Sequence, residues 1–222
     1  MNKLPKAIIW DMDGVIVDTE PLHGKAYYQM FDEVGIQVSN ALYRSFTGQS
    51  TANISKRLVA HFNMTIAPEE LTTIKRNYFT KLFDSDPDLA LIGGFLERLQ
   101  EYHHAGLTQV VASSASMDNI NRVFNRFDLN TYFSGKFSGA DVPQSKPHPE
   151  LFLKAAAFTG FAVNECMVIE DSTNGIKAAH AAGIPCVAFK SEHSKDQEYG
   201  LATVVVGSFK EVRLECLGSL LD

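Results

Sequence analysis

Strand signals, short runs rich in apolar and β-branched residues, recur at positions 6–10, 108–112, 136–139, 167–169, 185–189 and 203–206. Helical patterns with apolar residues every three or four positions fill most of the intervals. Phe95, Leu99 and Tyr102 mark one such face before Gly106, and Phe209, Val212 and Leu217 mark a final segment. Strands alternating with helices predict an α/β fold built on a doubly wound parallel sheet, Rossmann-like in outline. The stretch 19–87 breaks this rhythm and reads as wholly helical. Leu22, Ala26, Met30 and Val34 form one face, and Ile54, Leu58 and Phe62 a second. A third runs through Leu71, Ile74, Tyr78 and Leu82, opened by Pro68, Glu69 and Glu70 and closed near Asp84-Ser85-Asp86-Pro87. The pattern predicts an inserted all-helical domain over 18–87, hinged at 17–21 and 84–88. The core domain then consists of 1–17 and 88–222.

Polar residues cluster where the buried strands end. The apolar run Ala7-Ile8-Ile9-Trp10 leads directly into Asp11-Met12-Asp13-Gly14. In open α/β sheets, ligands bind at the carboxyl ends of strands. Two carboxylates beside a buried strand are costly without a counter-charge, so a cation is expected there. An EF-hand does not account for the pair: counting Asp11 as the first loop position puts Ile16 where the turn glycine belongs and Leu22 at the bidentate glutamate. Solvated loop acids are the plainer alternative.

Three further strand ends carry chemistry. Val110-Val111-Ala112 runs into Ser113-Ser114-Ala115-Ser116, ahead of a helix marked by Ile120, Val123 and Phe124. Hydroxyls and backbone N–H groups beside a helix N-terminus suit an anion, although Ser116 also suits a plain N-cap. In Ser145-Lys146-Pro147-His148-Pro149-Glu150 the proline after Lys146 favours an extended backbone, which projects the ammonium in one direction. An ordinary solvated lysine is the alternative. Met167-Val168-Ile169 ends in Glu170-Asp171-Ser172 and continues into a helix through Asn174-Gly175-Ile176 that stops at Gly183. These acids are candidate oxygen ligands for a hard cation, while Asp171 or Ser172 also reads as an N-cap.

The four blocks, in this order, resemble the motifs of the haloacid dehalogenase superfamily. The resemblance implies a Mg²⁺-dependent phosphoryl-transfer enzyme acting on a small phosphorylated metabolite. It assigns Asp11 as nucleophile, Asp13 as general acid and base, and Ser113, Ser114 and Lys146 as the phosphoryl grip. It assigns the metal to Asp11, the backbone carbonyl of Asp13, Asp171 and Glu170, the last directly or through water. The insertion is similar to the family's four-helix cap. Asp18-Thr19-Glu20-Pro21-Leu22-His23 and Thr47-Gly48-Gln49-Ser50-Thr51 resemble the hinge and substrate loop of the β-phosphoglucomutase-like branch. The resemblance thus adds His23, which contacts Asp13, and the loop residues Gly48 and Thr51 as cap contacts; a plain helix-surface histidine is the alternative for His23. The mutases carry an arginine three positions after the loop glycine, where this chain has Thr51. That departure favours a sugar or polyol phosphatase over a hexose phosphomutase. Lys56 or Arg57 nearby keeps the mutase reading open, and a non-catalytic phosphometabolite-binding protein is the third reading.

Bulk properties narrow the field. At 222 residues and 45% hydrophobic, the chain can build a full core. A net charge of −6 without a basic cluster argues against nucleic acid or an anionic membrane as partner. Apolar runs are of strand length, so no bilayer span is expected. The N-terminus carries no signal-peptide pattern, and the three cysteines, Cys166, Cys186 and Cys216, have no metal-site spacing. A cytoplasmic monomer is the expectation.

Overall fold

In the computed structural model, which describes residues 4–46, 49–190 and 197–218, the strand signals become six parallel strands. They are β1 (Ala7–Trp10), β2 (Thr108–Ser113), β3 (Gly135–Ser138), β4 (Cys166–Glu170), β5 (Cys186–Phe189) and β6 (Val204–Val206). Their lateral order is β3-β2-β1-β4-β5-β6. Trp10 at the end of β1 is level with Val111 of β2 and Ile169 of β4. The acids and hydroxyls that follow these three strands consequently emerge side by side, at the reversal of strand order where such sheets bind ligands.

Period-two alternation assigns each strand residue to one of two cores. Ile8, Trp10, Met167 and Ile169 face α5 (Phe95–His104) and α6 (Met117–Arg126), with Phe95, Tyr102 and Phe209 around the Trp10 indole. Ala7, Ile9, Cys166 and Val168 face α7 (Glu150–Thr159) and α8 (Thr173–Ala181).

Between β1 and β2 the chain forms α1 (Glu20–Val34), α2 (Asn40–Arg44), α3 (Thr51–Phe62) and α4 (Pro68–Ser85). Tyr27, Met30, Phe31, Phe46, Ile54, Leu58 and Leu71 give this cap an apolar centre of its own. No helix among the described residues is long and apolar enough to cross a membrane.

Three expectations need correction. The third cap face is only half of what α4 buries. Leu71 and Ile74 pack within the cap, whereas Lys75, Phe79 and Phe83 are buried on a second face. A helix with two packed partners buries more than one stripe. The segment marked by Phe209, Val212 and Leu217 is not one helix but a 3₁₀ turn (Phe209–Val212) followed by the short α9 (Leu214–Leu217). Ser208 and Glu211 close a reciprocal capping box around that turn. The third strand begins one residue earlier than its pattern suggests and ends at Ser138, whose hydroxyl accepts the Ala140 N–H at 3.1 Å.

Candidate active site

The loop after β1 is wound tightly enough to bring two strand ends into contact. Asp11 N–H donates to Ile169 O at 2.9 Å, and Gly14 N–H donates to Val17 O at 2.9 Å. Gly14 has φ +83°, and a Cβ there would lie 2.3 Å from Asp171 Oδ2. Gly175 does the same for the neighbouring acid, since its Cβ would lie 1.7 Å from Glu170 Oε1. Two glycines thus make room for two carboxylates.

Asp11, Glu170 and Asp171 are buried with carboxylate oxygens within 4.8 Å of one another. Lys146, only 1% exposed, donates to Asp11 Oδ1 and to Glu170 Oε1, the latter at 2.9 Å. The other Glu170 oxygen accepts Ser172 N–H at 2.6 Å and the Ser172 hydroxyl at 3.0 Å. Burial pushes Asp11 up to about 8, with Lys146 opposing and the charges of Glu170 and Asp13 adding. Asp171 is pushed well above the usual range by burial and then by Glu170 and Asp11. Burial disfavours the Lys146 ammonium, but Asp11 and Glu170 outweigh it and hold the amine charged. Three carboxylates facing one ammonium leave an uncompensated negative charge. An all-oxygen donor set of that charge fits a hard divalent cation such as Mg²⁺.

Asp13 has a different environment two residues away. Its Oδ1 accepts the Thr19 hydroxyl and faces His23 Nε2 at 3.4 Å. His23 Nδ1 meets Lys75 Nζ at 2.5 Å, and the ring stacks on Phe79 at 4.3 Å. Burial tends to raise Asp13, but the His23 hydrogen bond and charge, with Thr19, hold it below the usual range. Lys75 is 1% exposed, with its ammonium over the Tyr27 and Phe79 rings at 4.7 and 4.9 Å. Burial lowers it to about 7 against the pull of Asp13 and Glu20. Sequence reasoning missed Lys75. The available signal was a lysine four residues from both Leu71 and Phe79, inside an apolar stripe.

Ser113, Ser114 and Ser116 line a cavity of about 400 Å³ together with Asp11, Asp13, Glu170 and Asp171. Ser113 Oγ accepts Ala115 N–H at 3.0 Å, so its proton points elsewhere. Ser116 occupies the N-cap of α6 without a side-chain capping bond. Ser172 caps α8 through Gly175 N–H at 3.1 Å, which leaves Asp171 to the carboxylate cluster. On the cap side, His23, Tyr27, Thr51 and Lys75 complete the wall, with the Thr51 hydroxyl beside that of Tyr27. Gly48 lies outside the described residues. Arg57 bonds Ser45 Oγ at 3.0 Å, and neither it nor Lys56 borders the cavity. Arg76, which the sequence reading did not single out, does border it from the solvent side.

Residues 8–189 match the family model of haloacid dehalogenase-like hydrolases. Over 196 residues, 85% of the chain, it is 32% identical to the chloroplastic protein SUPPRESSOR OF QUENCHING 1 of Arabidopsis thaliana, and this match spans only 18% of the plant protein. Hexitol phosphatase B of Escherichia coli K12 is 27% identical over 207 residues, 93% of each chain. The crystal structure of a β-phosphoglucomutase from Clostridium difficile superposes with a TM-score of 0.85 at 25% identity, covering 98% of this chain and 97% of that one. Strand-end acids, buried lysine, helical insertion and family match converge: the chain belongs to the haloacid dehalogenase-like hydrolases, in the β-phosphoglucomutase-like phosphatase branch, and is a phosphoric monoester hydrolase.

Proposed function

We propose that this hydrolase removes phosphate from a small sugar or polyol monophosphate, using Mg²⁺ and a covalent phosphoryl group on Asp11. The observation that carries the reading is the divergence of Asp11 and Asp13. One joins a buried cluster of acids with Lys146, and the other is held by Thr19 and His23 at the base of the cap. Asp11, ionised, attacks phosphorus as the ester P–O bond breaks; Asp13, which rests as the carboxylate, must first take up a proton, and it passes that proton to the departing alcohol. Asp13 then takes a proton from the water that releases phosphate from Asp11. Lys146 and Ser113 hold the phosphoryl oxygens. Asp11, the Asp13 carbonyl and Asp171 would hold Mg²⁺, with Glu170 acting through water because Lys146 and Ser172 already occupy both of its oxygens. When bound, the ion neutralises charge on the transferring phosphoryl group.

Residues 18–87 act as a lid on the hinges 17–21 and 84–88, closing the cavity to bulk water. The Glu20 carboxylate borders the cavity and makes no hydrogen bond to a described residue, so it is open to a substrate hydroxyl. Tyr27 and Tyr43 offer further hydroxyl partners. The name of the hexitol phosphatase relative agrees with a polyhydroxylated substrate. The mutase reading rests on Arg76, the arginine at the cavity edge. Thr51 argues against it, because a neutral hydroxyl grips a second phosphate less well than a guanidinium. A screen of hexitol and hexose phosphates with Mg²⁺, and again with EDTA, tests the proposal. Phosphate release that EDTA abolishes is expected; full activity in EDTA contradicts the metal site.

A further inference from the structure

Besides the apolar packing of α4, polar side-chain contacts join the cap to the core in two places. At the hinge, Arg122 and Arg126 of α6 hold the end of α4. Arg122 pairs with Asp84 at 2.7 and 3.0 Å, and Arg126 donates to Phe83 O and Asp86 O, each at 2.5 Å. These contacts lie beside the chain connection between α4 and the core. Helix α3 has no such connection, since both of its chain neighbours belong to the cap. Even so, Asn53 Nδ2 donates to Ser145 Oγ at 2.9 Å. Among the described residues, it is the only side-chain hydrogen bond from α2 or α3 to the core. A bond so far from the hinge exists only while the cap is seated.

Its landing point gives it a role. Ser145 is buried, and its carbonyl accepts His148 N–H at 3.1 Å, closing the turn that presents Lys146. On the cap side, Ser50 Oγ accepts Asn53 N–H at 3.3 Å and fixes the first turn of α3. We propose that Asn53 is a positioning residue: the seated cap pins the turn at 145–148 through Ser145 and so holds the Lys146 ammonium on the phosphoryl group at Asp11. The proposal deepens the phosphatase reading and rests on it. Cap closure then does more than exclude water, because it completes the phosphoryl grip. In an open site Lys146 keeps its core partners Asp11 and Glu170, but the turn that carries it loses its tether to the cap.

Asn53→Ala, Ser145→Ala and the double variant test this against the wild type. Each single change is expected to lower kcat about twofold to tenfold, the size of one neutral hydrogen bond, with KM moving less. The double variant should lose no more than the worse single one, and Ser145→Thr, which keeps the hydroxyl, should recover most of the loss. Hydrogen exchange at the His148 amide, followed without substrate, should quicken severalfold in Asn53→Ala. Additive losses, a rise in KM at constant kcat, or unchanged exchange at His148 overturns the proposal. If the wild type releases no phosphate, the phosphatase reading fails, and the exchange measurement still decides whether α3 pins the turn.

Discussion

Asp11 and Asp13 share a loop yet have different partners, and that placement separates nucleophile from proton carrier: Asp11 joins the acid cluster and Lys146, whereas Asp13 joins Thr19 and His23. Without a cation, burial among acids raises Asp11, whereas His23 and Thr19 hold Asp13 down; a bound divalent ion would favour the ionised Asp11 that attack requires. Lys146→Ala removes the cation bound to Asp11 and Glu170. Losing that charged contact is expected to lower kcat/KM about tenfold to a hundredfold; unchanged steady-state kinetics would demote Lys146 to a structural residue. Gly14→Ala places a methyl group 2.3 Å from Asp171 Oδ2 at a positive φ. Its Mg²⁺ affinity, read by titration calorimetry, should weaken at least about tenfold, as displaced metal-site carboxylates do. Ser113, Glu170 and Asp171 were legible because each stands at the end of an unmistakable strand, and Lys146 because prolines follow it. Gly14 and Gly175 were visible as letters, but the carboxylates that need their missing Cβ atoms arrive from elsewhere in the chain.

At the scale of elements, α4 is the least legible part and among the most consequential. Its Leu71, Ile74, Tyr78 and Leu82 repeat is genuine, but a single amphipathic stripe cannot describe a helix packed on both cap and core. The second stripe, Lys75, Phe79 and Phe83, carries the lysine that meets His23. A charged residue usually reads as a solvated face, and only the tertiary contacts turn this one inward. Phe79→Ala removes both a core ring and the surface on which His23 stacks. The expected cost is about 3–5 kcal/mol in urea unfolding, with a fall in turnover larger than residual unfolding explains. Helix α2 is too short for periodicity to reveal, and Ser39 defines its start by capping Leu42 N–H.

For the whole molecule, the buried acids couple folding to pH and metal. Asp11 keeps its proton to about 8 in the folded chain, against 3.8 ordinarily, and Asp171 shifts the same way. Above the ordinary value the unfolded chain releases protons that the folded chain retains, so stability falls as pH rises. Asp13 has the opposite sign but acts at lower pH, and Lys75, lowered to about 7, contributes its upward slope only above that. In EDTA, the melting temperature should drop by a few degrees from about pH 5 to about pH 7. Saturating Mg²⁺, which binds the folded carboxylates, should flatten or reverse that slope. A metal-free melting temperature that climbs over this interval would contradict the charge balance drawn for the site. At this scale the sequence was most transparent: a βα rhythm interrupted once names both the sheet and the insertion. Strand order, which brings β4 beside β1, emerged only in three dimensions.

The central claim, hydrolysis of a sugar monophosphate by Asp11, is tested most directly by running wild type and Asp11→Asn side by side. Both receive β-glucose 1-phosphate, catalytic glucose 1,6-bisphosphate and Mg²⁺, and free phosphate and glucose 6-phosphate are followed together. The wild type should release phosphate with little glucose 6-phosphate, since Thr51 cannot hold the bisphosphate while it turns. Asp11→Asn should fold normally and lose activity by orders of magnitude. Glucose 6-phosphate forming faster than phosphate, or Asp11→Asn keeping more than about a tenth of wild-type release, would contradict the account.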